Sequence, residues 1–106
     1  MTLGDLLRDV AQSAPFDSSM AERISPREAA AHVGAVTYDS RLVTAGSVFV
    51  ALRGLQADGA TFARDAVARG AIAVVAEDAA PAGVGVIWLQ VSDARLALAA
   101  LAAAFY

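Results

Sequence analysis

The stretch Val48-Phe49-Val50-Ala51-Leu52 decides the fold of this chain, because it is apolar at every position over the length of a strand. An apolar run without polar alternation is typical of a strand that is buried on both faces and central in its sheet. Two polar loops bracket the run, Asp39-Ser40-Arg41 before it and residues 54–59 (GLQADG) after it. Loops can present unpaired backbone donors that strands and helices cannot, so we expect a ligand-binding edge here.

Strands and helices are predicted on both sides of this run. Apolar patterning predicts strands at 33–38, 48–52, 71–76 and 86–89, and helices at 3–12, near 26–28, between Gly59 and Gly70, and at 94–105. Gly70 is expected to end the third helix, and Ser92 or Asp93 to cap the last one. Short connections between these elements predict an α/β fold, with a small mainly parallel or mixed sheet of about four to five strands and helices packed on it.

Length and composition limit the functions open to the chain. With 106 residues, 58% apolar and 18% charged, it fits a single domain over residues 1–106. The net charge is −3, lysine is absent and the arginines are scattered, which argues against a nucleic-acid partner. Without cysteine, and with His32 as the single histidine, the common metal sites are not expected.

No part of the sequence predicts membrane insertion. The longest apolar run, Leu96 to Tyr106, is too short to cross a bilayer. The N-terminus carries Asp5 and Asp9 where a secretory signal would place basic and then apolar residues. We therefore expect no membrane partner and a cytoplasmic location.

The loop Asp39-Ser40-Arg41 admits two interpretations. Its carboxylate, hydroxyl and guanidinium could contact a ligand at the end of a strand. Alternatively, it forms an Asx-type turn with an ion pair between Asp39 and Arg41 on the surface. No histidine is placed to activate Ser40, so serine-nucleophile catalysis is not expected.

The second loop also admits two interpretations. Gly54 and Gly59 allow close backbone approach, so main-chain amides between them could bind a base or a phosphate, with Gln56 facing the ligand. Alternatively, the segment is a connecting loop in which Asp58 caps the following helix. A nucleoside triphosphate site is not expected, because the chain has no GxxxxGK[ST] segment and no lysine.

The final helix is almost wholly apolar after Arg95 and has neither a glycine nor a basic residue in its last turn. This pattern favours a chain that continues into a larger protein. A fully buried terminal helix in a complete small domain is the alternative.

An ordered set of residues then leads to a family. The set comprises Tyr38-Asp39-Ser40-Arg41, Ala45 to Gly54, Gln56-Ala57-Asp58-Gly59, Phe62, Ala66, and Gly70 to Val75. It resembles the N-terminal domain of the Mur ligases, which build the peptide stem of bacterial peptidoglycan. The Gln56-Ala57-Asp58-Gly59 loop and the closing Leu101 to Tyr106 are most similar to the MurE-type enzymes, which add the third amino acid to UDP-N-acetylmuramoyl-L-alanyl-D-glutamate.

The resemblance implies a role in substrate binding. By position, the family's uridine contacts fall on Tyr38, Ser40, Leu55, Gln56 and Ala57. The resemblance implies no catalytic or metal-binding residue in this stretch. In these ligases the central domain binds ATP, the C-terminal domain receives the incoming amino acid, and the groups that bind magnesium lie on the same part of the protein. Those domains are absent here, so the chain is expected to bind UDP-N-acetylmuramoyl-dipeptide without catalysing a reaction, as the N-terminal domain of a larger, cell-wall-building ligase.

Two alternatives remain at this stage. A MurF-type ligase, which adds a dipeptide, shares the Asp39-Ser40-Arg41 and Asp58-Gly59 signatures. The chain could instead be a nonenzymatic α/β interaction module whose apolar last helix docks a partner.

Overall fold

In the part of the chain that the structure describes, four short strands form one sheet in the order β1-β2-β3-β4, and all three pairings are parallel. The structure is a computed structural model that describes residues 1–14, 16, 24–52, 59–83 and 85–106, with only the backbone of 59–61. The strands are β1 (Ala35–Thr37), β2 (Ser47–Val50), β3 (Ala73–Ala76) and β4 (Ile87–Gln90). The helices are α1 (Leu3–Val10), α2 (Pro26–Ala29), α3 (Gly59–Ala68) and α4 (Ala94–Phe105). The predicted α/β fold is confirmed, and its sheet is purely parallel in the described part of the chain.

The predicted central strand lies inside the sheet. Val48 pairs with Val36 of β1 on one side and with Ala73 of β3 on the other. All four residues of β2 and all four of β3 are buried. Continuous burial of this kind explains why these strands are apolar without alternation.

Side chains of the sheet alternate between two apolar cores. Val36, Val48, Val50 and Val75 point to the face that packs against α1 and α4. The opposite face carries Phe49, Val74 and Ala76 and packs against α3. Successive strand residues point to opposite faces, so side chains on one face of the sheet repeat every 2 residues. In the helices that pack on these faces, the repeat is 3.6 residues.

Helices α1, α2 and α4 each begin at a capping residue. Thr2 and Asp5 form a capping box at α1, and Ser25 and Glu28 form a second one at α2. At α4 the carboxylate of Asp93 accepts hydrogen bonds from the amides of the second and third helical residues, at 3.0 and 3.1 Å. Of the two residues expected to cap α4, Asp93 is therefore the cap.

Gly70 ends the turn after α3 with φ +110°, as expected of a glycine after a helix. Its amide bonds to the Val67 carbonyl, and its own carbonyl accepts from the Gly46 amide at 3.0 Å. A Cβ at Gly70 would lie 2.8 Å from the Cα of Ala45. This close approach joins two loops at the amino ends of the strands, opposite to the edge that carries the candidate site.

The predicted boundaries differ by a few residues. The strand predicted at 33–38 is shorter because the amide of Val33 bonds to Met1 and that of Gly34 to Gly46, outside the regular ladder. The helix predicted at 3–12 ends at Val10. Helix α4 buries Ala94, Ala97 and Leu101, whereas Leu96 is 52% exposed, so α4 is not buried on all sides.

Candidate functional site

The candidate site lies where the parallel strands end. Strand β1 runs into Tyr38, β2 into Ala51 and β3 into Glu77. Because all four strands are parallel, these carboxyl ends share one edge of the sheet, which is where open α/β sheets bind ligands. Sequence reasoning placed Tyr38 and Ser40 at this edge, and the structure confirms that position.

Asp39, Ser40 and Arg41 form a braced turn. A single 3-10 turn spans Ser40–Leu42, and Asp39 caps its start. One carboxylate oxygen of Asp39 accepts hydrogen bonds from the backbone amide and the Nε of Arg41, both at 3.0 Å, and the other accepts from its Nη2 at 2.8 Å. The Asx-type turn with an ion pair is therefore present. The ion pair also allows a binding role, because it fixes the position of Ser40 between Asp39 and Arg41.

The hydroxyl of Thr37 supports the same turn from the end of β1. It accepts a hydrogen bond from the Asp39 amide at 3.1 Å. Ser40 lies beyond this support and is 7% exposed. No group in the described part of the chain hydrogen-bonds the Ser40 hydroxyl. The hydroxyl is therefore held in place by the turn while its own donor and acceptor stay available to a ligand.

The charges of the turn compensate one another. The hydrogen bonds from the Arg41 side chain, followed by the bond from its backbone amide, lower the pKa of Asp39. The side-chain hydrogen bonds to Asp39, followed by the negative charge of its carboxylate, raise the pKa of Arg41. The carboxylate is thus ionised and paired at neutral pH. An anionic ligand near Ser40 would therefore meet the ion pair of Asp39 and Arg41, which has no net charge, instead of an unpaired carboxylate.

Arg69 connects this turn to α3, a contact that the sequence did not predict. Its Nη1 donates to the backbone carbonyl of Arg41 at 3.5 Å, while its Nε pairs with Asp65 at 3.2 Å. Arg69 lies 28 residues after Arg41, so no local pattern could have indicated the contact. It places a second guanidinium beside the turn.

The other expected contact residues divide into two groups. Tyr38 is 56% exposed at the end of β1, so its ring can contact a ligand. Leu55, Gln56, Ala57 and the expected helix cap Asp58 lie outside the described residues. The structure therefore brings Tyr38 and Ser40 together at one edge and leaves the second loop as a prediction.

Three further residues have partners elsewhere in the structure. A carboxylate oxygen of Glu77 accepts a hydrogen bond from the amide of Ala94 at 2.9 Å and so adds a second cap to α4. Trp88 packs partly buried against the α3 face, and its Nε1 donates to the Asp78 carbonyl at 2.9 Å. His32 is exposed and bridges to Thr2 through the backbone.

The sequence offers neither of the two features that commonly bind the phosphates of a nucleoside triphosphate. The sequence lacks lysine and a phosphate-binding GxxxxGK[ST] loop. Within the described ranges, no three His, Cys, Asp or Glu side chains are grouped as a metal would need. No helix in the same ranges is both long and apolar enough to cross a membrane.

Comparison with known proteins decides the family. The model described as Mur ligase family, catalytic domain, matches residues 32–106. This chain belongs to the Mur ligase family. The match includes the braced turn, the loop at residues 54–59 and the four described strands, so the resemblance found in the sequence is confirmed.

Several curated relatives carry MurE-type names. The UDP-N-acetylmuramoyl-L-alanyl-D-glutamate--2,6-diaminopimelate ligase of Solibacter usitatus is 42% identical over 106 residues, which is 100% of this chain and 20% of the relative. The ligase of the same name from Chlorobaculum tepidum is 49% identical over 89 residues, covering 83% of this chain and 18% of the relative. The chain thus spans about a fifth of the length of these relatives.

A solved structure of another Mur ligase shares the fold. A crystal structure of MurF from Acinetobacter baumannii superposes with a TM-score of 0.56 at 33% sequence identity, over 68% of this chain and 15% of that one. The α/β fold predicted from the sequence is therefore that of Mur ligases.

Proposed function

We propose that this chain holds the UDP end of UDP-N-acetylmuramoyl-L-alanyl-D-glutamate, as the substrate-binding domain of a MurE-type ligase in peptidoglycan synthesis. The observation that carries the proposal is Ser40, a nearly buried serine with an available hydroxyl at the carboxyl edge of a parallel sheet. Membership of the Mur ligase family supplies the substrate class.

The proposed contacts come from both loops. The Ser40 hydroxyl and the exposed Tyr38 ring form one wall of the uridine pocket. Leu55, Gln56 and Ala57 supply the other wall, partly through backbone amides that can hydrogen-bond the base. The neutral pair of Asp39 and Arg41 keeps Ser40 in place without repelling the diphosphate.

The physical role of such a domain is anchoring. Binding of the remote uridine diphosphate orients the D-glutamate carboxylate for reaction elsewhere in the ligase, which lowers the entropic part of the barrier. ATP and magnesium would supply carboxylate activation in the whole enzyme, on residues outside this chain. The chain by itself would bind substrate without ligating, and its location would be the cytoplasm, where nucleotide-linked precursors are made.

The MurF-type ligases are the second candidate, favoured by the solved structure that shares the fold. Both types would hold the same UDP group, so the uridine site alone does not separate them. Their substrates differ in the peptide: a MurE-type domain should prefer the UDP-muramoyl-dipeptide, and a MurF-type domain the UDP-muramoyl-tripeptide.

A two-dimensional NMR titration of the chain with UDP tests the proposal. We expect amide resonances of Ser40 and of residues 54–59 to shift, while those of Thr44, at the opposite end of the sheet, stay in place. Competition between UDP-muramoyl-dipeptide and UDP-muramoyl-tripeptide then compares the two ligase types. Absence of any shift at millimolar UDP would count against the binding role.

A further inference from the structure

Tyr106 bonds to the outer edge of the sheet. Its hydroxyl accepts a hydrogen bond from the Val36 amide at 3.1 Å and donates one to the Val36 carbonyl at 3.2 Å. A tyrosine hydroxyl has one proton to donate and lone pairs to accept with, so both backbone groups of Val36 are satisfied by one atom. The two residues are 70 positions apart.

The strand held in this way is the shorter of the two edge strands in the described sheet. Strand β1 is three residues long and pairs only with β2, so one side of it has no neighbouring strand in the described structure. Edge strands with unpaired backbone groups fray and recruit other strands unless something covers them. Tyr106 covers the central residue of this one.

The position of Tyr106 is itself fixed by α4. The Tyr106 amide closes the helix by bonding to the Ala102 carbonyl at 2.8 Å. Its ring meets Phe105 edge to face, with centroids 4.7 Å apart, and Phe105 packs against the core of the α1 and α4 face. Tyr106 is nevertheless 76% exposed, so apolar burial does not explain its orientation. The two hydrogen bonds to Val36 do.

The clamp lies on the strand that leads to the binding turn. Val36 is two residues before Tyr38 and four before Ser40, and the Thr37 hydroxyl between them supports Asp39. Movement of β1 away from β2 would therefore carry the whole turn with it. A ligand that binds a mobile turn must also order it, which reduces affinity.

We propose that Tyr106 is a positioning residue of the uridine site, which acts by clamping Val36 and so fixing the place of Tyr38 and Ser40. This role rests on the proposed function of the chain. Tyr106 itself makes no contact with the ligand, and its effect passes through β1. The residue thereby couples the end of α4 to the nucleotide-binding edge.

The test uses the whole 106-residue chain. Tyr106→Phe keeps the ring and removes both hydrogen bonds. Thr44→Val removes a hydroxyl at the opposite end of the sheet, and Gly83→Ala places a methyl in an exposed turn with φ +76°, which strains the fold without touching β1. Each variant is measured by amide hydrogen exchange, NMR and UDP titration.

In Tyr106→Phe without ligand, we expect exchange of the Val36 amide to rise about tenfold, in line with the loss of one hydrogen bond, and the Tyr38 and Ser40 resonances to shift. UDP affinity should fall about threefold through the added ordering cost. Neither control should change these readouts, even where Gly83→Ala melts earlier. Gly83→Ala thus separates a local effect at β1 from general destabilisation of the fold.

The outcomes separate the two proposals. Unchanged exchange at Val36 together with unchanged Tyr38 and Ser40 resonances overturns the clamp. Unchanged UDP affinity of Tyr106→Phe, while the parent chain binds, overturns the positioning role and leaves the proposed function standing. Failure of the parent chain to bind UDP overturns the proposed function, and the site role with it, even where exchange at Val36 shows the clamp.

Discussion

Asp39 and Arg41 are joined by three hydrogen bonds of 2.8 to 3.0 Å that enclose Ser40 between them. An exposed ion pair of this kind contributes little to global stability. Its importance is local, because it fixes a serine that is nearly buried and has an available hydroxyl.

Asp39→Asn should weaken UDP binding with little change in global stability. The amide keeps one acceptor for the Arg41 backbone but loses the charged pairing. We expect the free energy of unfolding to stay close to that of the parent chain and UDP affinity to fall about threefold. Chemical denaturation and an NMR titration measure the two effects.

Asp5→Asn is the matched control. Asp5 pairs with Arg8 at 2.7 Å in α1, so its loss also removes one exposed ion pair, at a place remote from the turn. UDP affinity should stay at the parent value in this variant. Equal weakening in both variants would mean that the braced turn has no special role.

Asp39 should titrate below the ordinary aspartate value of 3.8. A carboxyl whose pKa is lowered by folding stabilises the fold above its unfolded pKa, and this contribution is lost as the pH falls through the folded pKa. The turn should therefore stay braced at neutral and mildly acidic pH. Carbon-13 NMR of the carboxyl group follows the titration, and Arg41→Ala should move the midpoint upward. A midpoint at or above 3.8 in the parent chain would contradict the pairing.

Gly70→Ala should destabilise the domain more than Gly83→Ala. Both glycines have positive φ, but a Cβ at Gly70 would lie 2.8 Å from a backbone atom of Ala45, whereas no described atom lies within 4 Å of a Cβ at Gly83. We expect losses of at least about 2 kcal/mol at Gly70 and about 1 kcal/mol at Gly83, measured by urea unfolding. Equal losses would show that φ strain alone matters at both positions.

Asp93→Ala should cost more than Ser92→Ala at the start of α4. The Asp93 carboxylate accepts two helix amides, so its removal should lower the free energy of unfolding by about 1 kcal/mol. Ser92 is exposed, and its replacement should change stability by less than about 0.5 kcal/mol. A larger effect of Ser92 in thermal melts would mean that the cap is assigned to the wrong residue.

Local patterns predicted most of the fold. Apolar runs located the four described strands, and the capping residue Asp93 located the start of α4, since these signals act within a few residues. The turn around Ser40 was also predictable, because Asp39 and Arg41 are adjacent to it in sequence.

Contacts between distant segments were not predictable in this way. Glu77 caps α4 from 17 residues away, and Tyr106 reaches Val36 across 70. Such contacts depend on how the elements pack, and no periodicity in one sequence encodes them. Strand ends also shifted, because backbone groups near Val33 bond to Met1 instead of to the sheet.

UDP affinity of the parent chain and of Ser40→Ala tests the central claim most directly. The substitution removes one hydroxyl from a nearly buried position and leaves the bonds between Asp39 and Arg41 intact. In an NMR titration the parent chain should show saturable shifts at Ser40 and at residues 54–59, and the variant should bind about three- to tenfold more weakly. Equal affinity of the two proteins, or no shift in the parent chain at millimolar UDP, would contradict a uridine site built on Ser40.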